Sequence, residues 1–139
     1  MVLKHLIESF FASWLRGNRF SLSEYFYDEE HFGNELAIYE SSDVLIRFIA
    51  DRGDIYIDVA SVAAPSEWFL SSQLLDLLGH KPEQFAGRSE SQIEKRWQVF
   101  NKEFVTLESM LAPAAVRETR RKIEDLRRIK LKQTFPEKE

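Results

Sequence analysis

Cysteine is absent from the sequence, and glycine is scarce. Without cysteine the chain has no disulfide framework, no thiolate metal site and no cysteine nucleophile, a composition typical of a reducing compartment. The five glycines stand apart from one another, so no glycine-rich loop is available to hold a nucleotide phosphate. The glycine-flanked serine of the hydrolase nucleophile elbow is also missing.

Long apolar runs are missing as well. The N-terminal residues Met1 to His5 are not a basic segment followed by an apolar run, so we expect no signal peptide. No stretch approaches the roughly 20 apolar residues of a membrane-spanning helix. We therefore expect a cytoplasmic protein that makes no membrane contact.

The sequence contains few clusters of residues that could bind a metal or act in catalysis. The histidines His5, His31 and His80 lie far apart in the sequence, whereas a metal site needs ligands that converge. The paired carboxylates fall in turns and on exposed strand positions, where they lack the burial that separates the pKa values of a general acid and a general base. We predict no catalytic residues, no metal, no cofactor and no enzymatic activity.

Length and composition predict one domain over residues 1–139, with residues 133–139 disordered. The chain is 44% hydrophobic and 30% charged, which is enough apolar material for a core that needs no metal or disulfide. The pattern of elements predicts an α+β fold. A small antiparallel three-stranded sheet packs against an N-terminal helix and three C-terminal helices.

The three strands are predicted in residues 35–60. They comprise residues 36–39, 44–49 and 55–59, which are rich in β-branched and aromatic side chains and form a meander. Between the last two lies Asp51-Arg52-Gly53-Asp54, whose glycine suits a tight hairpin turn. The same letters match an adhesion tripeptide, but a turn explains all of them.

The helices are predicted from apolar residues at spacings of three and four. The first covers residues 2–16, and a short helix begins after Ser21 or Ser23. Another runs from Pro65 to Leu78 and ends at Gly79. Residues 82–91 connect it to the strongest predicted helix, residues 91–111, and a basic helix follows at 114–132.

Charge is distributed unevenly. Residues 1–60 carry a net charge of −6 and residues 113–139 a net charge of +4. A basic helix is able to follow phosphates, but its apolar stripe and the overall net charge of −4 favour a solvated face over nucleic-acid binding.

Residues 30–80 resemble small bacterial immunity proteins of polymorphic or contact-dependent toxin systems. The resemblance rests on Phe32-Gly33-Asn34-Glu35-Leu36-Ala37, on the two strands around Asp51-Arg52-Gly53-Asp54, and on Trp68-Phe69 with Leu74-Leu75-Asp76-Leu77-Leu78-Gly79. It implies a compact α+β domain that binds and blocks a toxin. The basic C-terminal helix departs from an all-acidic inhibitor.

Two main functional hypotheses follow, and a third, an enzyme whose pocket is not visible in the sequence, stays open beside them. The first is a non-catalytic, immunity-type inhibitor that binds a basic toxin domain through an acidic surface. Its predicted partner-binding residues are Tyr39, Glu40, Asp43, Asp51, Asp54, Tyr56 and Asp58. The alternative is a small regulatory or scaffold protein that oligomerises through its aromatic-rich helices. For either hypothesis, the carboxylates also have a simpler role, which is to keep the protein in solution.

Overall fold

The computed structural model describes residues 2–30, 33–81 and 88–134 of the chain. Within these residues, a five-stranded antiparallel sheet packs against four helical stretches. The predicted α+β class is therefore confirmed, whereas the predicted three-stranded sheet is wrong. In the described part of the chain, no helix is both long enough and apolar enough to cross a membrane.

The N-terminal helix is continuous but not uniform. It comprises α1 (Val2–Leu6), a π-helical turn (Ile7–Phe11) and α2 (Ala12–Gly17). Its buried side chains follow the predicted stripe and are Leu3, Leu6, Ile7, Phe11 and Leu15. The predicted first helix is thus confirmed. Its π-helical turn contains one residue more than the corresponding hydrogen-bonded turn of an α-helix.

The sheet is a meander in which each strand pairs with the next in the sequence. Its strands are β1 (Ser21–Asp28), β2 (Asn34–Glu40), β3 (Val44–Asp51), β4 (Asp54–Ser61) and β5 (Phe69–Leu70). The short helix predicted after Ser21 or Ser23 is wrong, because that segment pairs with β2 from Ser21↔Glu40 to Asp28↔Asn34. Neither serine caps a helix, and the ladder with β2 outweighs the local preference of the segment.

The turn between β3 and β4 is confirmed. Asp51 and Asp54 pair directly across it, and the two residues between them have positive φ, +53° for Arg52 and +88° for Gly53. Two such residues form the tight hairpin turn whose twist matches that of the flanking strands.

The helix predicted from Pro65 to Leu78 begins six residues later. Helix α3 covers Ser71–Leu77, and before it Phe69 and Leu70 pair with Val59 and Asp58 of β4. Pairing of Phe69 and Leu70 with β4 overrides the helix-like spacing of apolar residues in this segment. The predicted end is confirmed, because Gly79 has φ +94° and His80 N–H donates to the Leu75 carbonyl, as in a Schellman cap.

Two long helices complete the chain. Helix α4 (Glu90–Met110) confirms the strongest prediction and begins with a capping box, in which Ser89 and Gln92 exchange side-chain and backbone hydrogen bonds. Helix α5 covers Val116–Thr134, so residues 133 and 134, predicted to be disordered, are helical. Residues 135–139 and most of the predicted 82–91 connection lie outside the described residues.

The core lies between one face of the sheet, the N-terminal helix and α4. Phe11 stacks on Phe48 of β3 with ring centres 5.0 Å apart, and Trp97 of α4 lies 4.6 Å from Phe11. Phe100 and Phe104 continue the α4 stripe, and both are buried. The apolar stripe of α4 is therefore internal.

We predict that Phe100→Ala lowers the free energy of unfolding by about 3–5 kcal/mol, because the deleted ring leaves a cavity in a closely packed core. The matched control is Val105→Ala on the same helix, where the side chain is 75% exposed; its effect should stay within about 0.5 kcal/mol. Urea unfolding of both variants gives the comparison. Equal effects would mean that the stripe does not hold the core.

Candidate functional site

The two faces of the sheet have different surroundings. One face carries Ala37, Ile46, Phe48 and Val59 and is buried in the core under the helices. Strand alternation places the neighbouring residues on the opposite face. We call this opposite side the open face.

An apolar row crosses the open face over four strands. Its members pair in sequence across the sheet as Phe26, Leu36, Ile49 and Tyr56. The two ends of the row are the most exposed, at 61% for Phe26 and 45% for Tyr56, and Leu36 and Ile49 between them are half-buried. Four strands place the row across about 14 Å of surface.

Beside this row lies a buried ion pair. Arg47 and Asp58 are direct cross-strand partners, and the guanidinium donates from both Nε and Nη2 to Asp58 Oδ2, at 3.2 and 2.7 Å. Trp68 covers Arg47, with the guanidinium carbon 4.2 Å from the ring centre. Only 3% of Asp58 is exposed. Burial raises the pKa of this carboxyl, and the hydrogen bonds and charge of Arg47 oppose that rise.

A groove of about 390 Å³ lies between Trp68 and strand β1. The segment between β4 and β5 contributes Val62, Pro65 and Trp68, and the floor contains Ile38 and Leu45. Glu24 of β1 and Glu40 of β2 line the same groove, and both are exposed. The groove therefore combines an apolar floor with two carboxylates.

The charge of the sheet has one dominant sign. Residues 21–70, which contain all five strands, carry eleven carboxylates and two arginines, a net charge of −9. One of the arginines, Arg47, is already bound to Asp58. The surplus negative charge gives the sheet a field that attracts cationic surfaces.

The structure distributes the seven predicted binding residues over several places. Tyr56 and Glu40 lie exposed on the open face, and Asp58 lies buried on it. Tyr39 lies on the core side, where its ring meets Phe48 edge-on at 5.9 Å; burial raises its pKa, aided by the charge of Glu8.

The remaining three predicted residues lie at the ends of the strands. Asp43 occupies the turn before β3, and Asp51 and Asp54 close the hairpin at the other end of this strand, which is about 23 Å long. Arg88 holds Asp54 through two hydrogen bonds of 2.8 and 3.2 Å. The seven residues therefore do not form one acidic surface.

Sequence reasoning missed Phe26, Leu36, Ile49 and Glu24. A signal for Ile49 was present, because the alternation that sends Phe48 to the core sends Ile49 to the other face. Phe26 and Glu24 were missed because their segment was predicted to be helical. Pairing with β2 places them on the open face.

A cavity of about 330 Å³ lies at the end of the sheet where the two hairpins meet α1 and α4. Its buried carboxylate, Glu35, accepts hydrogen bonds from Leu3 N–H at 3.0 Å and from the Tyr25 hydroxyl at 2.7 Å. One oxygen of Glu35 thus holds the start of the N-terminal helix, and the other holds the Tyr25 side chain of β1. In the described part of the chain, no group of three or more histidines and carboxylates is placed to hold a metal ion.

We predict that Asp58→Ala lowers the free energy of unfolding by about 3 kcal/mol, because it leaves the half-buried Arg47 without its counter-charge. Replacing both residues, as Arg47→Met with Asp58→Leu, should cost less than Asp58→Ala alone, since no uncompensated charge remains. Urea unfolding measures both, with Glu40→Ala as the exposed control. A double variant less stable than the single one would contradict the ion-pair explanation.

Tyr25 should ionise later than an ordinary tyrosine. Burial, followed by the hydrogen bond to Glu35, raises its pKa to about 12 from 10.0. The fold favours the neutral phenol, so the stability that this contact provides is present below pH 10 and is lost as the pH rises toward 12. Absorbance titration of the tyrosines should show a late component, to which the buried Tyr39 also contributes, and Tyr25→Phe should reduce this component by one side chain. An unchanged titration curve in that variant would contradict the assignment.

The chain was compared with protein-family models, with curated protein sequences and with solved structures, and no match was found in any of the three comparisons. The resemblance of residues 30–80 to immunity proteins thus stays a prediction.

Proposed function

We propose that the protein is a non-catalytic protein-binding module of the immunity type, which binds and blocks a basic toxin domain through the open face of its sheet. The observation that carries this proposal is the uncovered apolar row from Phe26 to Tyr56, which lies within residues 21–70, a segment of net charge −9. Exposed aromatic side chains are typical anchors of protein interfaces. Toxin nucleases that hold phosphates need cationic surfaces, to which an acidic partner is steered.

The other features of the molecule support binding rather than catalysis. The carboxylate of Glu35, which lines the cavity at the sheet end, is occupied by Leu3 N–H and the Tyr25 hydroxyl. Arg88 and Asp54 bind each other there. These groups are used to hold hairpins and helices together, so the apolar row is the surface best suited to a ligand.

The alternative of a scaffold that oligomerises through aromatic-rich helices has less support. Trp97, Phe100 and Phe104 of α4 point into the core, where they contact one another and Trp14. These rings are therefore already packed. An oligomer would need a different surface.

The test begins with the protein that co-purifies with the full chain from its native host. Truncating both ends of the row, in a Phe26→Ala/Tyr56→Ala variant, should weaken binding about tenfold or more, because anchor residues dominate interface energies. Val105→Ala on α4 is the control, since it removes an even more exposed apolar side chain from the other side of the molecule. Unchanged affinity in the double variant would refute the proposed surface.

Charge reversal gives a second measurement. Glu24→Lys with Glu40→Lys should slow association, and the difference from the wild type should shrink as salt concentration rises. Asp58 is unsuitable for reversal, because lysine there would face Arg47 in a buried site. A change only in the dissociation rate would argue against electrostatic steering.

A further inference from the structure

The two edges of the sheet differ in how they are closed. At the β4 edge, β5 pairs with Asp58 and Val59, and Arg96 of α4 donates from Nη1 to the Ile55 carbonyl at 3.2 Å. At the opposite edge lies β1, eight residues long, and no strand of the described chain pairs with its outer side. Among the described strands, β1 therefore presents the longest edge without a partner strand.

The register identifies the backbone groups on that edge. A two-residue turn closes on a hydrogen-bonded pair, here Asp51 and Asp54, and bonded pairs then alternate along and across the sheet. Counting through β3 and β2 places Phe26 and Asp28 in bonded pairs with β2. The N–H and C=O groups of Tyr25 and Tyr27 consequently point outward.

The side chains of β1 show which kind of strand fits there. Leu22, Phe26 and Tyr27 are exposed, and β1 contains neither the lysine nor the proline that commonly protects an edge. Glu24 and Asp28 flank Phe26 on the open face, with Asp28 Oδ1 also accepting from the Glu30 N–H at 3.1 Å. No lysine or arginine occurs between Arg19 and Arg47. An added strand with a cationic, an apolar and a cationic residue at alternate positions would match this order.

A second copy of the chain fits less well. Two β1 strands that pair antiparallel around Phe26, and so use all the outward groups of Tyr25 and Tyr27, set Glu24 of one copy opposite Asp28 of the other. Like charges directly opposite each other destabilise a strand pair. The charge of the edge thus selects a foreign, basic strand over self-pairing.

We infer that β1 is a docking edge to which an extended basic segment of a partner protein adds as a sixth strand. This inference rests on the proposed function and names the part of the partner that is recognised. Backbone hydrogen bonds to Tyr25 and Tyr27 hold the segment, and Glu24 and Phe26 select its side chains. The apolar row begins at Phe26, so the edge and the open face form one continuous surface.

The probe is a synthetic seven-residue peptide that carries lysine, valine and lysine at alternate positions with threonine between them. The matched control peptide carries glutamate in place of lysine. Added to the full ¹⁵N-labelled chain, the basic peptide should shift the amide signals of β1 and slow hydrogen exchange at Tyr25 and Tyr27, and the acidic peptide should do neither. No binding of the basic peptide, or shifts confined to the rest of the open face, would overturn the inference.

The decisive variants share position 27. Tyr27→Pro and Tyr27→Ala both remove the ring, but only proline removes the outward N–H, and an edge strand tolerates it there. Peptide affinity should be about tenfold lower for Tyr27→Pro than for Tyr27→Ala. Equal affinities would overturn the inference. If proline prevents folding, the exchange rates at Tyr25 and Tyr27 in the wild-type chain decide instead.

The same variants separate this inference from the proposed function. A native partner that is sensitive to Phe26→Ala/Tyr56→Ala but indifferent to Tyr27→Pro binds the open face without adding a strand, so only the edge inference fails. A partner indifferent to all of these changes refutes both. Dimerisation of the chain that Tyr27→Pro abolishes would show that a second copy occupies the edge, and would overturn the choice of a foreign strand.

Discussion

The contact among Phe11, Phe48 and Trp97 joins the three layers of the protein. One ring comes from the N-terminal helix, one from the middle of the sheet and one from α4, and their centres lie 4.6 to 5.7 Å apart. Large rings remove much apolar surface from water in a small volume. Because all three meet over the same face of the sheet, the helices are held on that face. On the opposite face, the segment before β5 is the part of the described chain that packs against the strands.

This one-sided packing explains the surface of the molecule. A helix that covers one face of a sheet leaves the other face to be covered by a loop, by solvent or by a partner. Here the loop covers the Arg47–Asp58 pair through Trp68 and stops short of the row from Phe26 to Tyr56. The uncovered row is therefore a consequence of this packing.

The apolar core does not determine where the ends of the helices lie. Hydrogen bonds from polar groups hold these ends in place. Glu35 binds the start of the N-terminal helix to β1 through Leu3 and Tyr25. At the C-terminal side, Thr119 of α5 donates to the Met110 carbonyl at the end of α4, at 2.8 Å. Beyond Ile123, residues 127–134 of α5 are exposed, and Lys130 among them still pairs with Asp76 of α3. The basic helix is thus attached to the rest of the molecule, and Arg120 near its start lies over the Phe69 ring of β5, 3.9 Å from the ring centre.

The sequence by itself determined the α+β class, the N-terminal helix, α4 and the Arg52–Gly53 turn, because periodic apolar residues and turn residues act within a few positions of the chain. It also determined the uneven charge. The alternation of side chains along β4, with Ile55 and Ile57 toward the core, already indicated that Tyr56 lies on the open face. Tertiary structure alone decided that residues 21–28 and 69–70 are strands, since each is formed by hydrogen bonds to a segment distant in sequence. It decided in the same way that Asp58 is paired and buried while Glu40 stays exposed: the burial of a carboxylate depends on which cation and which ring the fold brings beside it, and neither Arg47 nor Trp68 is adjacent to Asp58 in the chain.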